Sequence, residues 1–376
     1  MTEPEYLIGA VHHFLEASAL LPTPGKMDWT ELLDLAQAHA MIPMLYTALR
    51  DESIPAQAAE ELNAKYEQSV QRSLAQIGEL ARLAGLFERS GIPVVALKGP
   101  MLSQYLYGDF ALRASGDIDV LVKAEDVLRV REILISNGYR GTNALPSNSR
   151  SACLRLRGKE MAFESPSGVS VDVHWRLVPP HFASVFDKLD PWESLRAESL
   201  AGRQIPTLSP ETQFLFLCVH AAKHMFERLG WVCDIARFMT VTPDLDWRRI
   251  VAEARRTQTV RQVSLAVELA AALWSVRVPV ELAADPSVEA LLRIVRTRLY
   301  AGARPPALAP ESNPFLLRLF EGTPDRLRFL WGEYVTPSEA EYRVLRLPSW
   351  LHFLYYPFRP VRLLWKHGAR AVFARE

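Results

Sequence analysis

The sequence predicts an α+β protein, because strand periodicity is confined to the middle of a chain that otherwise shows helix periodicity. Apolar side chains recur at helical spacing in residues 1–90 and again in residues 206–376. Residues 91–205 combine short apolar runs and period-two alternation with one amphipathic helix. We therefore expect a core at 91–205 that alternates strands and helices, flanked by helical N- and C-terminal regions.

The N-terminal region carries its helix signal in apolar stripes, which we expect to face the protein core. Gly91 and Pro93 follow the last stripe and predict its end, because neither residue continues a helix well. The residues of the stripes are Leu32, Leu33, Leu35, Ala36, Leu74, Ile77, Leu80, Leu83 and Leu86.

Residues 113–122 hold two acidic residues within a run that is otherwise typical of a buried strand. Strand alternation places the carboxylates of Asp117 and Asp119 on one face, with the apolar residues between them on the other. Like charges on one face repel each other unless something positive lies between them. A divalent cation is the simplest such partner. Because Mg²⁺ takes carboxylates together with substrate phosphates, the pair indicates phosphoryl or nucleotidyl transfer.

A short strand and a helix start precede the acidic strand. Residues 93–97 are apolar, and Gly99 and Pro100 come before helically spaced apolar residues at 101–107. Glycine before a helix and proline at its first position predict that a helix begins here. The N-terminus of such a helix presents free N–H groups and the positive end of the helix dipole, which suit a triphosphate.

A second alternating strand is predicted at 168–175, where valines alternate with polar residues. Its polar face carries Asp172 and His174. We expect the carboxylate of Asp172 to join the acidic pair, although a lone aspartate on an alternating strand is also common in ordinary surfaces.

A glycine at a helix start, an Asp-x-Asp strand and an aspartate on a later strand together resemble the pattern of the DNA polymerase beta-type nucleotidyltransferase superfamily. Over residues 90–240 the chain is similar to an uncharacterised bacterial nucleotidyltransferase-like family. This resemblance implies that 91–205 forms a polymerase beta-type core with a mixed sheet. The segments that carry it are Leu97–Gly99, Arg113, Asp117–Val122, Val171–Trp175, His220–His224 and Trp231–Arg237.

The resemblance implies an enzyme that moves a nucleoside monophosphate from an NTP to a hydroxyl or similar acceptor and releases pyrophosphate. It implies two Mg²⁺ ions, or Mn²⁺ in their place, and ATP as the default donor. Proteins, peptides, small metabolites and tRNA all serve as acceptors within the superfamily. The implied catalytic residues and metal ligands are Asp117, Asp119 and Asp172, the last of which could also take the acceptor's proton. The implied nucleotide contacts are Lys98, Gly99, Arg113 and Ser115.

The sequence departs from the superfamily pattern after Gly99, where Pro100 replaces the usual serine and supplies neither a hydroxyl nor an N–H. Two alternatives therefore stay open: a catalytically weak nucleotide-binding adaptor, and a phosphotransferase that moves the γ-phosphate with the same aspartates. The acidic pair could also consist of solvated carboxylates on an edge strand, and Lys98 and Arg113 could be ordinary surface charges.

Histidines and cysteines are concentrated in the helical region that follows the core. His220 and His224 share one helical face, but the spacing of Cys218 and Cys233 matches no zinc finger or ribbon. We expect the histidines to line the cleft wall or to satisfy hydrogen bonds at a helix interface, and the aspartate of the next helix to orient one of them or Arg237. The predicted cleft-wall residues are His174, His220, His224 and Asp234.

The overall charge of the chain does not favour binding to nucleic acid. Lys+Arg and Asp+Glu both number 43, so the net charge is zero and any attraction to anions must be local. Three cysteines are too few for a disulfide framework, and we see neither a signal peptide nor an apolar run that could span a bilayer. We therefore expect a cytoplasmic protein.

The segment 347–367 is unusually rich in aromatic and basic residues. Pro357 and Pro360 predict that no long helix forms there. Segments of this composition lie on membrane surfaces, dock on a partner protein or dock on their own domain, so a weak membrane or protein contact and a self-packed tail both stay open.

Overall fold

A computed structural model describes residues 1–16, 18–141, 158–182, 186, 189–282, 285–300 and 312–373. The predicted α+β class is confirmed, with one mixed seven-stranded sheet flanked by helices. Four helices precede the sheet: α1 (Glu3–Leu15), α2 (Trp29–Ala38), α3 (Ile42–Leu49) and α4 (Ala56–Arg89).

The middle of the chain supplies the whole described sheet and two helices. Its elements are β1 (Val95–Ala96), α5 (Pro100–Tyr107), β2 (Ile118–Leu121), α6 (Val127–Ser136), β3 (Arg140–Gly141), β4 (Glu160–Glu164), β5 (Ser170–His174), β6 (Leu195–Leu200) and β7 (Arg203–Leu208).

Helices then continue to the end of the described chain. They are α7 (Pro210–Lys223), α8 (Leu229–Val241), α9 (Trp247–Thr257), α10 (Val260–Trp274), α11 (Pro286–Tyr300), α12 (Ser312–Leu319), α13 (Thr323–Tyr334), α14 (Glu339–Val344) and α15 (Tyr355–Phe373).

Local signals explain where the helices near the sheet begin and end. The side chain of Ser209 caps α7 by accepting from the N–H of Thr212, and Pro210 occupies the first turn. Beyond the end of α4, Gly91 turns the chain with a φ of +63°, a conformation that glycine adopts at little cost. Among the described residues, no helix combines the length and apolar character needed to cross a membrane.

The strand order β3-β4-β5-β2-β1-β7-β6 puts β2 and β5 next to each other near the centre of the sheet. These two strands run parallel, as do β1 and β7, whereas the other neighbouring pairs are antiparallel. One sheet face is covered by α4 and α6, which bury Val120 and Val173. The opposite face, which carries Asp119, is adjacent to the larger core that includes α1, α3 and α7–α10.

The prediction that prolines break the C-terminal segment is wrong, because α15 runs through Pro360. Pro357 lies in the first turn, where the backbone N–H has no helical partner in any case. Pro360 removes one helical hydrogen bond. The guanidinium of Arg359 holds this part of the helix in place, since it donates to the carbonyl of Glu333 and to the carboxylate of Glu341.

The described cysteines are structural. Cys218 and Cys233 are free thiols buried in the core, and burial raises the pKa of each well above its ordinary value. Cys153 lies outside the described residues.

Candidate active site

The acidic site is built by the parallel pairing of β2 with β5. Ile118 lies opposite Val171 and Asp119 lies opposite Asp172, so alternation brings both carboxylates to the same face of adjacent strands. Ligating atoms of Asp119, Asp172 and His174 all lie within 4.8 Å of one another. Within the part of the chain that the structure describes, these residues form the one group of three or more acidic, histidine or cysteine side chains that could share a metal ion.

Asp117 precedes β2 and does not belong to that group of three. It is nevertheless close enough to interact electrostatically with both other aspartates. Burial and the charge of Asp119 raise the pKa of Asp117. Burial, followed by the charges of Asp117 and Asp119, raises the pKa of Asp172 to about 6. Three carboxylates that repel one another in a partly dry site favour a bound cation.

Asp119 is held by two basic partners on different elements. Its Oδ2 lies 3.2 Å from the Nζ of Lys98, and its Oδ1 lies 2.9 Å from the Nε2 of His174. Burial opposes ionisation, but Lys98 and His174 outweigh it and hold the pKa of Asp119 below its ordinary value. The Oδ2 atom is buried, and it contacts the ammonium of Lys98. A carboxylate oxygen has two lone pairs, so Oδ2 can take a further positive partner.

His174 orients Asp119 as a neutral donor. Burial lowers the pKa of His174 to about 4 although Asp119 opposes that shift, so the ring is uncharged near neutral pH. The hydrogen bond to Asp119 then requires the proton on Nε2. An Nε2 that donates to a carboxylate cannot bind a metal at the same time, so in this arrangement the contact serves to orient the carboxylate of Asp119.

Lysines surround the acidic group. Lys98 is 9 % exposed, and its Nζ lies 5.7 Å from the centre of the Phe216 ring on α7. Burial, then the charges of Lys223 and Lys98, lowers the pKa of Lys159 to about 7. Burial, then Lys98, lowers the pKa of Lys223 to about 8. Mutual repulsion among partly buried ammonium groups makes this side of the site attractive to an anion.

Two of the three predicted cleft-wall histidines, His220 and His224, lie near these lysines at the C-terminal end of α7. The rings of His220 and His224 are 4.9 Å apart, and each is 5.2 Å from the indole of Trp231. Burial, then the charge of Lys223, lowers the pKa of His224 to about 3. Neither histidine shares a metal group with a cysteine among the described residues, so the structure gives the zinc hypothesis no support.

The prediction that Asp234 orients a histidine or Arg237 is wrong. Its carboxylate accepts from the Nε of Arg113 at 2.7 Å and from the hydroxyl of Tyr107 at 3.0 Å. Arg237 donates instead to the carbonyl of Leu106. Arg113 and Asp234 are both buried, so this ion pair joins α8 to the loop that leads into β2.

Gly99 and Ser115 shape the backbone around Asp117. Gly99 adopts φ +66° and ψ −141°, a region that is nearly restricted to glycine, and a Cβ there would lie 3.6 Å from the carbonyl of Asp117. The hydroxyl of Ser115 donates to the same carbonyl at 2.9 Å. The side-chain amide of Gln76 on α4 donates to the carbonyl of Ser115 at 3.2 Å.

Sequence reasoning missed several residues that belong to the site or support it. Lys223 stands inside the His220–His224 segment, where its position between two singled-out histidines was an available signal. The sequence contains no such signal for Lys159, because the position of this residue near the acidic group depends on the pairing of β4 with β5. The missed residues are Gln76, Tyr107, Lys159, Lys223 and Glu160, whose Oε2 lies 3.2 Å from the Nε2 of His174.

Comparison with known proteins bears on the fold and the family. No curated protein matches the chain. A solution structure of the antibiotic-resistance factor ANT(2'')-Ia aligns over 61% of this chain and 95% of its own, with 16% identity and a TM-score of 0.29. A crystal structure of ANT(2'')-Ia in complex with adenylyl-2''-tobramycin aligns over 60% and 98%, with 18% identity and a TM-score of 0.27.

The family itself is established by a match across most of the chain. The matched segment, residues 25–275, contains all three aspartates, the lysines and the histidines of the site. Its family model carries the description of an uncharacterised nucleotidyltransferase, and the resemblance seen in the sequence is thereby confirmed. The chain belongs to this nucleotidyltransferase family.

Proposed function

We propose that the protein is a metal-dependent nucleotidyltransferase that moves a nucleoside monophosphate from an NTP to an acceptor hydroxyl and releases pyrophosphate. The observation that carries this proposal is the in-register pair of Asp119 and Asp172 on adjacent parallel strands, with His174 bonded to the first of them. Such a pair has no evident structural use, because Asp is disfavoured in strands and like charges directly opposite repel.

The donor set fits a hard divalent cation. Carboxylate oxygens suit Mg²⁺ and Mn²⁺, and the Oδ2 of Asp119, which contacts the Lys98 ammonium, has a second lone pair for such an ion. Asp119 and Asp172 would hold the ion, and Asp117 is near enough to bind a second. Bound cations of this kind neutralise the triphosphate and lower the pKa of the acceptor hydroxyl. His174 would keep the Asp119 carboxylate in the ligating orientation.

The lysines provide the phosphate contacts that the glycine turn lacks. Pro100 offers no N–H and no hydroxyl at the start of α5, and the side chain of Arg113 is engaged by Asp234. We assign the β- and γ-phosphates to Lys98, Lys159 and Lys223, whose charges are concentrated beside the acidic group. Gly99 would let the backbone approach the phosphates closely. The default donor is ATP, whose abundance in the cytoplasm suits the expected location.

The acceptor is a hydroxyl or similar nucleophile on a protein, a peptide, a small metabolite or a tRNA end. The zero net charge of the chain favours the smaller acceptors over a long nucleic acid.

The Asp119→Asn variant tests the proposal. We expect metal-dependent NTP binding and all transfer to be lost, because one carboxylate ligand disappears with little change in volume. Loss of the Lys98 partner should also cost about 1–3 kcal/mol of unfolding free energy, so circular dichroism must confirm folding. The measurement is calorimetric titration of the four NTPs with Mg²⁺ or Mn²⁺. Asp51→Asn, at an exposed aspartate, is the matched control.

Product analysis separates the remaining candidates. Pyrophosphate release identifies nucleotidyl transfer, whereas a nucleoside diphosphate product identifies the phosphotransferase. Metal-dependent NTP binding without either product would identify the adaptor that the Pro100 substitution keeps open. Unchanged binding of metal and NTP in a folded Asp119→Asn variant would overturn the assignment of the site.

A further inference from the structure

The C-terminal part of the chain exposes an unusual amount of large apolar surface. Eleven of the eighteen large apolar side chains exposed in the described chain lie between residues 327 and 365, so they are concentrated there. Exposed large apolar side chains that are concentrated in one region, rather than scattered singly, point to an interaction site. The residues of this C-terminal apolar patch are Leu327, Trp331, Tyr334, Val344, Leu345, Trp350, Phe353, Leu354, Val361, Leu364 and Trp365.

The helix α15 presents its apolar stripe outward because its inner side is fixed. Tyr355 is fully buried and packs on Tyr342, with ring centres 4.2 Å apart. Arg359, 6 % exposed, lies 2.9 Å from a carboxylate oxygen of Glu341.

The outward side of α15 carries Val361, Leu364 and Trp365 at helical i, i+3, i+4 spacing. Their exposed fractions are 62, 74 and 78 %. With its inner side fixed, α15 cannot bury this stripe by turning about its own axis, so the stripe stays available to an external surface.

The same segment is locally basic in a chain that is neutral overall. Seven residues from 339 to the C-terminus are Arg or Lys, against three Glu. The carboxylate of Glu341 is buried and contacts Arg359 and Arg362, so it does not offset the exposed cations. Lys366, which directly follows the stripe in the sequence, is exposed, and Arg346 is exposed as well. An apolar face with indoles and flanking cations has the composition of helices that lie in the headgroup region of an anionic bilayer.

We propose that the C-terminal apolar patch docks on the surface of an anionic phospholipid membrane. The indoles of Trp350 and Trp365 enter the headgroup region, and Lys366 and Arg346 lie among the lipid phosphates. The contact is peripheral and reversible, and it uses none of the residues of the acidic site. It therefore stands or falls independently of the proposed transfer reaction.

Vesicle co-sedimentation of the full chain tests this docking. We expect binding to phosphatidylcholine vesicles that contain phosphatidylglycerol, weakening with added salt, and little binding to pure phosphatidylcholine. The double variant Leu364→Ser/Trp365→Ser should weaken binding by about tenfold or more, because affinity follows buried apolar area. Leu74→Ser/Leu128→Ser, which removes two exposed leucines on α4 and α6, is the matched control and should bind like the wild type.

Three results would overturn the proposal. The first is wild-type protein that stays in solution with the phosphatidylglycerol vesicles, and the second is equal binding to pure phosphatidylcholine. The third result combines two observations: the wild type does not bind vesicles, and sedimentation velocity shows a wild-type oligomer that is lost in the Leu364→Ser/Trp365→Ser variant. This result would mean that the patch binds a second copy of the chain. Because the substituted side chains are exposed, both variants should keep the wild-type circular dichroism spectrum.

Discussion

The chemistry of the site depends on which partner each carboxylate oxygen of Asp119 has. Lys98 and His174 hold the group ionised although it is buried, and each of them contacts one of its two oxygens. A carboxylate oxygen has two lone pairs, so each oxygen can still take a further positive partner. The environment of this one residue is thus suited to a cation.

Two substitutions of His174 distinguish a supporting donor from a metal ligand. A glutamine amide reproduces the position of Nε2 and an asparagine amide that of Nδ1, so only His174→Gln keeps a donor near Asp119. We expect His174→Asn to weaken Mn²⁺ binding by about 10–100-fold, and His174→Gln to weaken it less. The measurement is Mn²⁺ titration by calorimetry. Equal loss in both variants would make His174 a ligand instead.

At the residue scale, sequence patterns predicted the strand face on which a side chain lies, but not the residue that the side chain contacts. The shared face of Asp119 and Asp172 followed from period-two alternation, which is a local property. Asp117, which was expected on the same strand face, precedes β2. The pairing of Arg113 with Asp234 joins positions 121 apart in the chain, and no local pattern contains that information.

At the scale of elements, the turn from β1 into α5 is the most constrained part of the site. Gly99 has a left-handed φ, precedes Pro100 and lies beside the carbonyl of Asp117, so the turn fixes both the helix start and the loop before β2. The helix start was predictable from Gly99 and Pro100, whereas the role of the turn as a support for the acidic strand was not.

Gly99→Ala should destabilise the protein by about 1–3 kcal/mol, because a Cβ is strained at this φ and ψ whatever space surrounds it. Gly78→Ala is the matched control. Gly78 lies inside α4, and a Cβ added there would meet nothing within 4 Å, so alanine should add about 0.5–1 kcal/mol of stability. Urea unfolding of both variants measures the difference, and equal stability of Gly99→Ala and wild type would contradict the strain argument.

The bounds of the elements were less accessible to sequence patterns than their order. The apolar run at 93–97 predicts a longer strand than β1, which spans Val95–Ala96. The prolines of the C-terminal segment predicted a break, but tertiary contacts of Arg359 hold α15 together. In both cases packing decides the outcome, and packing partners cannot be identified from a local window.

At the scale of the whole molecule, one buried core ties distant parts of the chain together. The larger core cluster contains residues of α1, α3, α7 and α10, and the indole of Trp274 donates to the carbonyl of Ile8. The division into regions at 1–90, 91–205 and 206–376 stays a prediction, but the hydrophobic packing crosses its boundaries.

Because the fold buries neutral histidines, we expect the free energy of unfolding of the protein to decrease in mild acid. Burial, then the charge of Arg228, lowers the pKa of His39 from 6.5 to about 4, and its Nδ1 accepts from the N–H of Leu229. Below pH 6.5 the His39 imidazole is protonated in the unfolded chain but stays neutral in the folded chain. The free energy of unfolding therefore falls as the pH drops from 6.5 toward 4. His39 alone accounts for up to about 3 kcal/mol of this loss.

His39→Asn tests this pH dependence, because its amide oxygen can still accept from Leu229 while the titration disappears. We expect the variant to lose less stability than the wild type between pH 7 and pH 5 in urea unfolding. The same pH dependence in both proteins would contradict the argument.

The parallel pairing of β2 with β5 has a consequence for how the protein is made. Neighbouring parallel strands cannot be joined by a tight turn, and here the paired aspartates are brought together only after a long intervening stretch has been closed into a loop. Contacts of such sequence separation form slowly during folding. The acidic group therefore does not exist on the nascent chain until this loop has closed, and metal binding would report the completion of folding as much as the readiness for chemistry.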